Sequence, residues 1–179
     1  MVNEDGDLPL KDLAVLVAHS LSRYGIEAVL SGGACVTLYT NNRYISGDLD
    51  FVTDTIYEKK IGAAMEEIGF KLMPEKYFRK VGCKYFVEFV PAPLSVGKEP
   101  VKDIARIRTK KGVLKLLSPT DSVKDRLAAF FHWNDRQSLD QAVMVSRSQK
   151  VDLIEIMRWS ANEGYPDKYK EFLDLLNTQ

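Results

Sequence analysis

The sequence predicts an α+β fold: a mixed β-sheet flanked by helices, followed by a C-terminal helical bundle. Three observations predict it. As far as residue 117, short apolar runs bounded by glycine and proline alternate with stretches of helical periodicity. From Ser118 onward only helical periodicity remains. No repeat, low-complexity tract or Gly/Ser linker divides the 179 residues. They read as one compact unit, with an α/β core over 1–117 and a helical region packed on it over 118–179.

Taken in order, the first helix is expected between Leu8 and Tyr24, where Leu13, Val15, Leu16, Val17 and Leu21 are the apolar positions and Gly25 closes the pattern. Ile26 to Leu30 reads as a short buried strand running into Ser31-Gly32-Gly33, and Ala34 to Tyr39 as a short helix. Asp48 to Thr53 carries apolar Leu49, Phe51 and Val52 in a strand pattern, and Ile56 to Ile68 is helical until Gly69. Strands are expected at Phe70–Met73, Tyr77–Lys80 and Tyr85–Val90. Pro91-Ala92-Pro93 stops the last, since proline cannot donate to a ladder. Ile104–Arg108 and Val113–Leu117 flank a hairpin turn at Lys110-Lys111-Gly112. Ser118-Pro119-Thr120-Asp121 is a helix start, with Ser at N-cap, Pro at N1 and an acid at N3. Beyond it, breaks near Asn134-Asp135, Ser148-Gln149 and Gly164-Tyr165-Pro166 separate further helices.

Composition narrows the class. With 45% hydrophobic and 28% charged residues, the chain is not of the disordered type. Cys35 and Cys83 are the only cysteines, which excludes a disulfide scaffold and, with the acidic Met1–Asp7 segment unlike a secretory signal, leads to the expectation of a reducing, cytoplasmic home. No stretch approaches the roughly 18 apolar residues of a membrane helix, so no membrane partner is expected. The 25 basic and 25 acidic side chains cancel, yet residues 1–50 carry three basic and seven acidic groups, while 101–150 carry eleven and five. The ordinary reading is solvated faces of helices and hairpins. Arg106, Arg108, Lys110, Lys111 and Lys115 nevertheless leave a polyanionic RNA acceptor open.

Three features bear on chemistry. Ser31-Gly32-Gly33 stands between a strand and a helix, where glycines let the backbone approach an anion and the helix start favours phosphate; its bland alternative is a plain turn. It matches neither the P-loop nor the Rossmann fingerprint. Asp48-Leu49-Asp50 puts two carboxylates on one strand face, a pair that repels unless a cation or a proton neutralises it. Its alternative is an exposed strand end. Glu88 interrupts the apolar run Phe86-Val87-Glu88-Phe89-Val90, either as an outward position on a one-sided sheet or as a third carboxylate beside the first two. Oxygen-rich sets of this kind suit Mg2+ or Mn2+, and three acids near a phosphate-binding turn fit a two-metal site for attack at phosphorus.

Together these motifs resemble the nucleotidyltransferase superfamily of DNA polymerase beta, and within it the small AbiEii-type toxin branch. The run Gly32-Gly33-Ala34-Cys35-Val36-Thr37-Leu38-Tyr39, followed by Arg43, Ser46, Asp48 and Asp50, carries the likeness. Glu88 and the tail segments Arg126-Leu127-Ala128 and Arg136 with Asp140 extend it over most of residues 26–145. Fourteen residues separate Gly33 from Asp48, towards the long end of the family spacing, and the third acid is Glu instead of the more familiar Asp.

The resemblance implies an enzyme that moves a nucleoside monophosphate from an NTP to an acceptor hydroxyl with release of pyrophosphate. Asp48, Asp50 and Glu88 would be its metal ligands for Mg2+ (or Mn2+) and its catalytic residues. Ser31, Gly32, Gly33, Ser46, Lys124 and Arg126 would contact the nucleotide, although Lys124 and Arg126 serve equally well as charged flanks of the helix face Val123, Leu127, Phe130 and Phe131. It also implies a toxin–antitoxin component acting on tRNA, with a cognate antitoxin or toxin protein as partner. The alternatives are a small-molecule (antibiotic-type) nucleotidyltransferase and a non-catalytic NTP-binding or antitoxin-like protein. His132-Trp133, Met157, Trp159 and Tyr165 are expected to pack in the core or line a groove.

Overall fold

A computed structural model describes residues 8–178, so the acidic Met1–Asp7 segment lies outside the described residues. In chain order the elements are α1 (Leu10–Arg23), β1 (Val29–Ser31), α2 (Gly32–Tyr39), β2 (Asp48–Thr53), a 3-10 turn (Thr55–Tyr57), α3 (Glu58–Glu67), β3 (Lys71–Leu72), β4 (Phe78–Arg79) and β5 (Phe86–Pro91). Then come β6 (Ser95–Val96), β7 (Glu99–Pro100), β8 (Ile104–Thr109), β9 (Gly112–Leu117) and helices α4 (Pro119–Trp133), α5 (Arg136–Ser148), α6 (Leu153–Glu163) and α7 (Pro166–Asn177).

Seven strands form one mixed sheet in the order β3-β4-β5-β2-β1-β9-β8, and β6 and β7 form a separate small hairpin. The pattern of β2 explains which way the sheet faces. Leu49, Phe51 and Thr53 are buried, whereas Asp48, Asp50 and Val52 alternate onto the other, more open face. Register carries the same division across the sheet. Leu30 and Leu116 pair on the buried face, beneath α1 (Leu13, Val17, Leu21) and α3 (Ile61, Ala64, Met65).

The helix starts and stops follow from side-chain chemistry. The Ser118 hydroxyl accepts from the Asp121 amide (3.1 Å) and donates to the Asp121 carboxylate (2.8 Å), and Pro119 occupies the first turn where no donor is needed. Asn134 ends α4 at φ 55°, a left-handed position that Asn tolerates, and Asp135 and Asp152 cap the next two helices. Val123, Leu127, Phe130 and Phe131 form the buried face of α4, packed with Trp159 and Phe172.

Several expectations need correcting. The second helix begins at Gly32 and not at Ala34, because the glycine's positive φ (67°) turns the chain from β1 straight into the helix. Pro91 ends β5 as its last residue, and the β6–β7 hairpin has no strand-like run to announce it. Trp159 is buried and Trp133, 78% exposed, lines a surface groove with His132, but Met157 is 51% exposed, since it points off the apolar face of α6. Among the described residues no helix is long and apolar enough to cross a membrane.

Candidate active site

The parallel pairing of β2 with β5 sets Asp48 opposite Phe86 and Asp50 opposite Glu88. All four side chains therefore lie on the open face, and Glu88 is a third carboxylate beside the two aspartates. On the other side of β2, Ser31 is the register partner of Asp50 and the last residue before α2. Chain order thus brings the glycine turn to the same point as the acids.

Contacts within this corner are close. Gly32 passes so near Asp50 that a Cβ there would overlap its Oδ2, and a Cβ on Gly33 would stand 2.7 Å from Ser46 Oγ. The Ser46 hydroxyl donates to Asp48 Oδ1 (2.6 Å), and the Ser46 amide donates to Thr37 Oγ1 (2.9 Å), which fixes the loop ahead of β2 to α2. The Ser31 hydroxyl reaches the Asp50 carbonyl at 3.3 Å. Burial, then the neighbouring charges of Asp48 and Glu88, push the Asp50 carboxyl up to about 7, while Arg126 pulls the other way.

A cleft of about 370 Å³ opens here, walled by Ser31, Gly32, Asp50, Arg126 and the Pro93–Ser95 segment. Arg126 donates to Asp125 (3.0 and 2.5 Å) and to Gln141 Oε1 (3.4 Å), so the guanidinium is held at the cleft rim in a fixed pose. Lys124 is not brought to this cleft. Two residues apart on a helix means about 200° around its axis, and Lys124 points into a separate cavity where it pairs with Asp121 (3.3 Å) and Glu155 (2.8 Å). The tail pair is also elsewhere: Arg136 pairs with Glu171, and Asp140 is exposed on α5 near Arg147. Asp125, Gln141 and the Pro93–Ser95 wall escaped sequence reasoning, because no motif marks residues whose role comes from packing against another element.

The donor set is all oxygen, which suits a hard divalent cation. Among the described residues, however, no three His, Cys, Asp or Glu side chains are gathered as tightly as a bound ion would hold them. Cys35, buried beneath the site with its thiol donating to the Leu30 carbonyl (3.3 Å), is pushed far up by burial and stays a thiol.

By sequence, no family model and no curated protein matches the chain. Solved structures do match in shape. The crystal structure of ANT(2'')-Ia in complex with adenylyl-2''-tobramycin is 12% identical, with a TM-score of 0.57 over 87% of this chain and 96% of that one. An antigenic nucleotidyltransferase-like protein from Paracoccidioides brasiliensis is 13% identical, with a TM-score of 0.54 over 90% of this chain and 92% of that one. At such identities the likeness is one of fold: the chain adopts a nucleotidyltransferase-like α+β architecture along nearly its whole length.

Proposed function

We propose that this chain is a metal-dependent nucleotidyltransferase that moves a nucleoside monophosphate from an NTP to an acceptor hydroxyl and releases pyrophosphate. One observation carries the reading: Asp48, Asp50 and Glu88 share one sheet face, beside the glycine turn that opens α2, on a fold of this kind.

The free amides of that helix start would receive the β- and γ-phosphates at Gly32 and Gly33, with Ser31 beside them. Asp48, Asp50 and Glu88 would hold Mg2+ (or Mn2+), and the grouping of the three acids on one face concentrates negative charge that such a cation would offset. When bound, the cation polarises the phosphoryl group under attack and eases ionisation of the acceptor hydroxyl. Ser46 occupies Oδ1 of Asp48 and so leaves Oδ2 as the oxygen for the cation. Glu88, one strand further from the glycine turn, would take the acceptor's proton as its oxygen attacks the α-phosphorus and the bond to pyrophosphate breaks. Arg126 would offset charge on the departing pyrophosphate.

For the acceptor we favour RNA, with tRNA as the class to test first, which fits a toxin–antitoxin component with a cognate protein partner. The supporting observation is the row Val90, Val52, Val29, Lys115, Arg106, which the strand registers align across the sheet face next to the carboxylates. At strand spacings of about 4.8 Å this row runs about 19 Å. It ends at exposed Arg106 and Arg108; Lys115 is partly neutralised by Glu27 (2.7 Å).

The test supplies each NTP, labelled at its α-phosphate, with Mg2+ or Mn2+ and either total tRNA or an aminoglycoside. Label on RNA that vanishes in Asp48→Asn and Glu88→Gln supports the reading. Label on the aminoglycoside alone makes the acceptor a small molecule, and nucleotide binding with no transfer makes the chain a non-catalytic binding protein.

A further inference from the structure

Arg158, Trp159, Asn162 and Glu163 are spaced i, i+1, i+4 and i+5 and so share one side of α6. All four reach the β6–β7 hairpin. Arg158 pairs with both oxygens of Glu99 (3.0 and 2.6 Å), and Asn162 donates to the same carboxylate (3.0 Å). These contacts are exposed and hold weakly. The inner pair is different. Fully buried Trp159 donates its Nε1–H to the Val96 carbonyl (3.2 Å), and Glu163, only 4% exposed, accepts the Lys98 amide at Oε1 (2.8 Å).

Gly97 is fitted to this arrangement. It takes a positive φ (60°), and a Cβ there would lie 2.6 Å from the Glu163 carboxylate. The other oxygen, Oε2, is buried without a hydrogen-bond partner, with His132 Nε2 at 3.6 Å. The opposite ring nitrogen of His132 lies 3.3 Å from the Tyr165 hydroxyl. Burying a carboxylate against one backbone amide is unfavourable for stability alone. What it holds is the turn of the hairpin, and the segment leading into that hairpin lines the cleft at Asp50. Pro93, Leu94 and Ser95 face Gly32, Asp50 and Arg126 there. Ser95 and Arg126 also border the adjoining cleft that holds His132 and Glu163.

We propose that Glu163 is a positioning residue for this site: by fixing Gly97 and Lys98 it fixes Pro93–Ser95, and with them the width of the cleft over Asp50 and Gly32. The inference rests on the transferase reading above. The helical tail then belongs to the machinery through α6 as well as through Arg126 of α4.

The experiment compares Glu163→Ala, Glu163→Gln, Gly97→Ala and the Gly97→Ala/Glu163→Ala double variant. It reads amide hydrogen exchange over residues 94–101, affinity for a non-hydrolysable NTP, and transfer kinetics. Glu163→Ala is expected to speed exchange in the hairpin, to leave exchange in α1 and β2 unchanged, and to weaken nucleotide binding and kcat/KM by about tenfold or more. Glu163→Gln keeps an acceptor for the Lys98 amide and should return all three readouts to within about threefold of the parent. Gly97→Ala should reproduce Glu163→Ala, and the double variant should be less than additive, because removing the carboxylate relieves the methyl group's clash while the left-handed backbone strain remains.

Unchanged hairpin exchange in Glu163→Ala overturns the inference. So does faster exchange with unaltered nucleotide affinity and kinetics, or a Gln variant as impaired as Ala. If the parent protein binds nucleotide and transfers it to nothing, the transferase reading fails, and exchange with affinity still decides the role of Glu163.

Discussion

Asp50 and Glu88 stand directly opposite one another across the parallel β2–β5 pair, two carboxylates on one sheet face with Asp48 two residues away. The juxtaposition is unfavourable in itself, and burial, followed by the charges of Asp48 and Glu88, raises the carboxyl of Asp50 to about 7.

That rise has a consequence for stability. A carboxyl raised from its ordinary 3.8 favours the protonated folded chain. Its contribution is complete below pH 3.8 and is lost as pH climbs through about 7. In chelator-treated protein, Asp50→Asn should therefore melt above the parent at pH 8, by on the order of 2 kcal/mol, with the gap closing towards pH 4. The same variant should lose transfer altogether. Thermal melts over that pH range, with and without Mg2+, check this; Mg2+ should stabilise the parent at pH 8 and leave Asp50→Asn unmoved.

Gly32→Ala should fold and fail. The new methyl group meets Asp50 Oδ2 and sits on a left-handed backbone, so a loss of about 1–2 kcal/mol and of nearly all nucleotide binding is expected. Denaturant titration and a nucleotide-binding isotherm separate the two effects. Binding at the parent's affinity would remove the glycine turn from the site.

Lys124 and Arg126 should part company. Lys124→Ala removes a buried cation from Asp121 and Glu155, which keep their bonds from Ser118 and Arg158, and should cost about 2 kcal/mol of stability, with nucleotide affinity per folded molecule unchanged. Arg126→Ala should raise the KM for NTP about tenfold with a smaller stability change, since its guanidinium lines the cleft. Equal kinetic effects from both would contradict the separation of the two cavities.

Arg106→Glu with Arg108→Glu tests the acceptor face. If RNA crosses it, the double variant should lower RNA affinity by tenfold or more at low salt and flatten the salt dependence, while NTP binding stays put. A small-molecule acceptor would be used as before.

Much of this was legible in the chain. Asp48-Leu49-Asp50 alternates against buried Leu49 and Phe51, so a strand with both acids on one face follows from period two alone. The Ser118 cap and the breaks at Asn134, Ser148-Gln149 and Gly164 are local chemistry and were equally readable. Lys124 was not, because its partner Glu155 is thirty-one residues away on another helix. The β6–β7 hairpin is two residues per strand and lies outside any periodicity, and its anchor Glu163 reads in sequence as an ordinary helix-end acid.

By itself, then, the sequence determined the kinds of element, the pairing of two carboxylates on one strand, and the glycine turn before a helix, since each depends on neighbours within a few residues. Only the tertiary structure decided that Glu88 faces Asp50, that Arg126 and not Lys124 reaches the cleft, and that α6 is bonded to the β6–β7 hairpin. Those facts depend on strand register and helix rotation, which are set by how distant apolar faces pack together.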